Sequence, residues 1–358
     1  MPFSPIEPFA IPELPPPANL PDSGFHTPLL RAKTELAELR GYISAIPDPM
    51  LLVQAAVLRE AVASSRIENI LTTIETVLQQ QLYPETEQKQ ETKECLRYMA
   101  AVMHGFDNMQ RVPLGNRLIL DIHKELMPHA SYGYRTDQKQ INHPVTNEII
   151  YTAPAAQKLN RLMTNWENYM HNANDGTDPL IKCAISHYQL EAIHPFSDGD
   201  GRTGRIVMAL YPLHAGILDF PIISMSSHIS KTYMEYRRLL QQITETGDWT
   251  AYIEYMLRGF FERAKETKEH CLKIMALWHS YKQRLQKNYS SLYSRKLLDL
   301  LFAFPVINPA RLSLALNIHY TTASRYLKFL VEKKFLEYSR CGKYQLYINR
   351  NLIDILNN

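Results

Sequence analysis

A mainly α fold is what the sequence predicts: a helical bundle with one β-hairpin set into it, followed by a small unit of three helices and a hairpin. Three observations predict it. Apolar residues recur at three- and four-residue spacing through LLRAKTELAELRGYI and MLLVQAAVLREAVASS, the period of helices that bury one face. The segment YGYRTDQKQINHPVTNEIIYTAP, residues 132–154, instead mixes β-formers with Asn, Pro and Thr, the composition of a hairpin. After Tyr293 the periodic stretches shorten and end in FLEYSRCGKYQLYI, two β-rich runs around a Cys-Gly turn; this is the order of a winged helix-turn-helix.

Taken in order, residues 1–28 hold nine of the 22 prolines. Proline removes backbone donors and fixes φ, so this stretch reads as an extended arm clasping the surface. Residues 29–110 read as N-terminal helices, with one over 88–108. Residues 111–285 form the central unit, with helices over 114–126, 155–172, 178–192, 202–216, 230–245 and 249–284. Residues 286–358 form the winged unit, with helices over 294–303, 308–316 and 319–333. The most apolar run, Ile206 to Ile223, is interrupted by Pro212, His214 and Asp219. A membrane span needs about 20 residues with few or no charges, so the run reads as a buried helix and its exit.

Composition excludes little. Hydrophobic residues make up 45% and charged residues 21% of the 358, with a formal charge of +3; these are ordinary values for a globular protein and not those of a nucleic-acid-coating polycation. Cys95, Cys183, Cys271 and Cys341 are scattered with no CxxC pair, which fits neither a zinc site nor a disulfide framework and points to a reducing compartment. The N-terminal MPFSPIEPFAIPELPPP lacks the charged start and apolar stretch of a secretory signal. The expectation is a cytoplasmic protein with no membrane partner.

The chemistry gathers in His194-Pro-Phe-Ser-Asp-Gly-Asp-Gly-Arg-Thr-Gly-Arg205, between two helical stretches. Gly199, Gly201 and Gly204 let backbone amides approach a ligand, and the helix that follows turns its first N–H groups, around Asp200 to Thr203, toward the same point, an anion cradle. Arg202 and Arg205, three apart, share a helix face beside it and imply a polyphosphate. Asp198 offers a hard oxygen ligand for Mg²⁺, an ion held by one or two carboxylates plus substrate phosphates. His194 is the nearby side chain able to take a proton near neutral pH. No GKS or GKT closes the loop and a helix rather than a strand precedes it, so it is neither a P-loop nor a dinucleotide fingerprint. His187 lies seven residues before His194, the wrong spacing for a helical two-histidine metal site.

HPFSDGDGRTGR closely resembles the Fic signature, His-x-Phe-x-(Asp or Glu)-Gly-Asn-Gly-Arg-x-x-Arg. The resemblance covers about residues 50–265 and implies a nucleotidyltransferase that moves AMP from ATP, with Mg²⁺, onto a Ser, Thr or Tyr hydroxyl of a target protein. By position His194 then resembles the general base and Asp198 the metal ligand, while the glycine-framed amides with Arg202 and Arg205 would hold the phosphates. Asp200 departs from the signature Asn, and a carboxylate beside phosphates repels them unless it is protonated or recruited by the metal. That leaves open a weakened enzyme acting as a DNA-binding or adaptor regulator.

A second stretch, Ser64-Ser-Arg-Ile-Glu68-Asn69, is similar to the family's inhibitory motif (Ser or Thr)-x-x-x-Glu-(Gly or Asn). There Glu68 would pair with Arg205 and take the space of the γ-phosphate, and members with this glutamate can also remove AMP. The same residues, Ser65 to Glu68, fit a helix capping box. The 132–154 hairpin stands where the family has the flap that aligns a target segment by strand addition. Tyr233 and Tyr236 resemble family positions near the adenine, and the family's habit implies a homodimer. In residues 319–350 seven cationic side chains face only Glu332 and Glu337, a footprint that duplex DNA or a protein partner would fit.

Overall fold

The computed structural model describes residues 3–16, 24–46, 48–143 and 146–357. Part of the expected arm, residues 17–23, and the hairpin positions 144 and 145 lie outside the described residues. The elements follow in chain order α1 (His26–Ser44), α2 (Met50–Ile67), α3 (Ile74–Gln80), α4 (Gln90–Asn108), α5 (Asn116–Leu126), β1 (Gln140–Asn142), β2 (Ile149–Thr152), α6 (Leu159–His171) and α7 (Pro179–Ile193). They continue with α8 (Asp200–His214), α9 (Met225–Lys231), α10 (Tyr233–Thr246), α11 (Thr250–Asn288), α12 (Arg295–Ala303), β3 (Val306–Ile307), α13 (Pro309–Leu316), α14 (Tyr320–Glu332), β4 (Glu337–Cys341), β5 (Tyr344–Ile348) and α15 (Arg350–Asn357). The mainly α expectation holds, and the periodic stretches become helices nearly end to end. The short α3, α9 and α15 and the two-residue β3 were not expected; α3, α9 and β3 are too short to display a period.

The chain divides into two compact units that interleave along the sequence, one from Met1–Gly41 and Arg97–Lys265, the other from Tyr42–Leu96 and Glu266–Asn358. In the first, α7 is the central helix. Asp178 caps it, its carboxylate accepting the Leu180 amide at 2.9 Å, and Pro179 occupies the first turn, where its missing N–H costs nothing. Every residue of α7 except Pro179 and Glu191 is buried, so it reads as apolar all round rather than amphipathic. Packed against it are α6 and α8. Trp166 of α6 is fully buried, its indole donating to the Ser186 carbonyl at 2.8 Å. The run from Ile206 to Ile223 is buried at both ends, as α8 and its exit. β1 and β2 form the expected antiparallel hairpin.

The second unit joins α2 and α3 to the C-terminal elements. Its sheet has the order β3-β5-β4, all antiparallel, and the sequence of α12 to β5 is compatible with a winged helix. The wing leans on the same unit's N-terminal segment. Tyr344 stacks on Tyr83 at 4.1 Å, Lys343 and the Tyr344 hydroxyl both reach Glu87 at 2.6 Å, and Arg350 grips Glu75 with two nitrogens at 2.7 and 3.1 Å. Three of the seven cations counted there, Lys333, Lys343 and Arg350, are thus held in ion pairs.

The capping-box reading of Ser65 to Glu68 is corrected. Ser64 and Ser65 lie in the last turn of α2, both buried, and Glu68 is the residue after the helix. Asn69 adopts φ 60°, and the Ile70 amide bonds back to the Ser65 carbonyl at 3.0 Å. This is a left-handed C-terminal cap, a conformation that glycine and asparagine tolerate best.

The Arg350 pairs test whether this docking contributes to stability. Partly exposed ion pairs are worth about 1 kcal/mol or less, so Arg350→Ala should lower the urea midpoint slightly and measurably. An unchanged midpoint would show that the pairs contribute nothing to the unit.

Candidate active site

The backbone of the site is strained where its chemistry sits. α7 ends at Ile193, and His194 caps it in the left-handed region, φ 50° and ψ 61°, its amide bonded to the Leu190 carbonyl at 3.0 Å. For a residue with a Cβ this conformation costs about 1–2 kcal/mol, so something must hold it. Arg135 does. Its side chain is buried, and its Nε donates to the His194 carbonyl at 2.8 Å. One terminal nitrogen donates to Pro154 at 2.6 Å and the other to Asp137 at 2.7 Å, while its own amide bonds Pro195 at 2.8 Å.

The hairpin is fastened to the same loop. Lys139 donates to the Ser197 carbonyl at 2.7 Å, and the Tyr151 hydroxyl donates to the Ala192 carbonyl at 2.6 Å. Sequence reasoning missed Arg135. It lies 59 residues before the carbonyl it grips, and a single arginine ahead of a hairpin carries no signal of its own.

Beyond His194 the loop folds on itself. Phe196 is buried and stacks on His123 at 3.8 Å, and His123 Nε2 donates to the Asp198 carbonyl at 2.9 Å. Gly199 has φ 83°, and a Cβ there would stand 3.0 Å from Met127, so both conformation and space call for glycine. Gly204 lets α8 approach α7, since a Cβ there would meet the Glu191 carboxylate at 2.3 Å.

Asp200 begins α8 but turns its carboxylate back into the loop. Oδ1 accepts the Phe196 amide at 2.8 Å and Oδ2 lies 3.1 Å from His194 Nε2. Burial pushes its pKa up to about 7, against the pull of the Phe196 amide and of nearby Lys139 and Arg135. The repulsion expected of a carboxylate beside phosphates is thereby weakened, because near neutrality much of it is uncharged. Burial also pushes the His194 imidazole below its ordinary value, opposed by Glu191. A neutral imidazole is the form that can accept a proton.

Arg202, Thr203 and Arg205 of α8 are buried, and Gly201 is half-buried. Asp198 faces outward, as Ser197 does, its side chain 71% exposed; Oδ1 accepts the Gly199 amide at 2.7 Å and lies 3.9 Å from Arg202. Among the described residues no three metal-ligating side chains cluster. An exposed carboxylate beside the first amides of α8 nevertheless fits Mg²⁺, which takes one or two carboxylates and completes its shell with phosphate and water. Ser64 and Glu68 belong to the second unit, Ser64 fully buried and Glu68 at the end of α2.

A cavity of about 330 Å³ opens beside His194, between the hairpin and α10. Ile141, Ile150, Tyr188, Leu240, Met234 and Arg237 are among the residues that line it. Neither Tyr233 nor Tyr236 does. Tyr236 points the other way, its hydroxyl 2.8 Å from His187 Nε2 inside the core, and Tyr233 sits at the surface under the Arg237 guanidinium. The cavity side of α10 is presented by Met234, Arg237 and Gln241, one helical phase away from the expected tyrosines.

His187 is held neutral: burial and the Arg205 charge bring its pKa down to about 3. A histidine depressed in the folded state stabilises fully above its unfolded value near 6.5, and that contribution is lost as the pH falls toward 3. Melts should therefore lose stability between pH 6.5 and 4, and His187→Asn should flatten that slope. An equal slope in the variant would place the acid sensitivity elsewhere.

Comparison with known proteins agrees with this architecture. Residues 26–107 match the Fic/DOC family N-terminal model, 113–211 the Fic/DOC family model, and 277–352 the model described as "Protein adenylyltransferase SoFic-like, C-terminal domain". Protein adenylyltransferase Fic of Nematostella vectensis is 30% identical over 145 residues, 39% of this chain and 31% of that protein. The same-named protein of Aedes aegypti is 29% identical over 143 residues, 38% of this chain and 26% of that one. The chain thus spans about a third or less of the length of these curated relatives.

A Fic family protein from Desulfovibrio desulfuricans shares the fold at TM-score 0.58 and 21% identity, over 93% of this chain and 98% of its own. A Fic-domain signalling protein from Bacteroides thetaiotaomicron does so at 0.54 and 15%, over 68% and 96%. With family models matched in succession from residue 26 to 352 and the signature loop folded around His194, the chain belongs to the Fic/DOC family.

Proposed function

We propose that this chain transfers AMP from ATP to a hydroxyl side chain of a target protein. One observation carries the reading: an imidazole, half-buried and held in a strained backbone conformation, stands between a mostly apolar cavity and the N-terminus of a glycine-framed helix bearing two arginines. The cavity is the seat of the base, with Tyr188 and Arg237 on its walls. The first amides of α8, from Asp200 to Gly204, with Arg202 and Arg205, take the phosphates. Asp198 holds Mg²⁺, which when bound neutralises charge on the phosphates.

His194 accepts the proton of the target hydroxyl as that oxygen attacks the α-phosphorus, and pyrophosphate leaves. The hairpin β1–β2 orients the target segment by strand addition. Positioning and charge neutralisation supply most of the acceleration. Glu68, with Ser64 in the same motif, restrains the reaction by denying the γ-phosphate its place at Arg205. All four cysteines are free thiols, three of them buried, and no helix among the described residues is long and apolar enough to cross a membrane. The free thiols support a cytoplasmic enzyme, which we take to act as a homodimer.

The test uses ATP labelled at either end. With Mg²⁺ and Glu68→Gly, label from the α-phosphate should appear on the protein itself or on targets in a lysate, several-fold above the unsubstituted chain. In the same background His194→Ala should lose about 10² to 10⁴ of the rate, as removal of a general base does, with an unchanged melting temperature. Label from the γ-phosphate alone would mean phosphoryl transfer instead, and full activity without His194 would remove the base.

A further inference from the structure

Part of the wall of the cavity beside His194 comes from the proline-rich arm. Phe3 lines that cavity, together with Ile141, Ile150 and Tyr151 of the hairpin. The arm reaches it by gripping β2. Phe9 donates its amide to the Thr152 carbonyl at 2.9 Å, and the Thr152 hydroxyl donates to the Pro5 carbonyl at 2.7 Å. Phe3, Phe9 and Tyr151 form one three-ring cluster: Phe3 stacks on Tyr151 at 6.4 Å and 19°, Phe9 is tilted against Tyr151 at 5.8 Å, and Phe3 meets Phe9 edge-on at 5.9 Å.

Tyr151 in turn holds the Ala192 carbonyl, two residues before His194. Further along, Leu14 exchanges two hydrogen bonds with the Asn165 amide side chain at 2.8 and 2.9 Å, and Gln189 donates to the Pro12 carbonyl at 2.8 Å. These anchors fix an arm whose prolines already restrict its backbone, so little conformational entropy is lost in keeping it there.

We propose that the arm is a working part of the ligand site, with Phe3 as a specificity-determining wall for the base. The proposal rests on the reading of the cavity as the seat of the nucleotide base. An aromatic ring on a mostly apolar wall offers a flat partner whose gain grows with the overlapping area, so it favours a two-ring purine over a one-ring pyrimidine. Phe9 acts at one remove: it holds the arm and Tyr151 without lining the cavity.

The experiment measures the affinities of ATP, GTP and CTP by calorimetry on the full chain, its Phe3→Ala variant and its Phe9→Ala variant, with melts to confirm folding. Phe3→Ala should weaken ATP about three- to tenfold, the scale of one aromatic contact, and bring the ATP and CTP affinities closer together. Phe9→Ala should do the same to a smaller extent and raise amide exchange in β2, which locates the effect in the arm. If ATP binds the full chain, 8-azido-ATP labels cavity residues and yet Phe3→Ala leaves all three affinities unchanged, the arm has no such role and the functional reading survives. If the full chain binds no nucleotide, or the azido label lands away from the cavity, both fall together.

Discussion

The site depends on one buried cation. Arg135 spends its guanidinium on backbone carbonyls from the residue at the head of the signature loop, His194, and from the far end of the hairpin, Pro154. Burying an arginine without a carboxylate partner is costly unless its donors are met, and here carbonyls meet them. The same contacts hold His194 in a conformation it would not choose alone. A lysine would keep the charge and lose the fork, which is why the two are not interchangeable here.

Around that clamp, burial does the electrostatic tuning. It lowers the proton affinity of His194 and raises that of Asp200, the two groups 3.1 Å apart. Each is pushed toward its neutral form by the same cause, the low polarisability of the loop's interior. Close packing of Phe196 on His123, and glycines at 199 and 204 where neighbouring side chains leave no room, give the loop its shape. Asp198 and its neighbour Ser197 are left facing outward.

Much of this was legible in the sequence, and what was not has a common cause. The loop from His194 to Arg205 announces itself because its glycines, arginines and acids fall within twelve residues. Long helices such as α4 and α11 show their period over many turns. Arg135, Arg237 and Phe3 reach the site across dozens of residues of chain, and nothing local marks them. Ser65 to Glu68 fit either end of a helix; the apolar period of MLLVQAAVLREAV running into Ser64 was the sign that a helix was ending there. Tyr233 and Tyr236 lie on the helix that borders the cavity but do not line it, and an aromatic residue at helical spacing looks alike on either face. The count of seven cations in the tail could not anticipate that Glu75 and Glu87, more than 250 residues earlier, would take up two of them.

The most direct measurement of this account is the single-turnover rate of Arg135→Lys in a Glu68→Gly background, with ATP affinity and melting temperature measured in parallel. Misplacing a catalytic group by about 1 Å can cost about 10²-fold, so the rate should fall on that order while ATP still binds and the chain still folds. A rate equal to that of the parent would mean that His194 needs no such clamp, and the central constraint argued from this structure would be wrong.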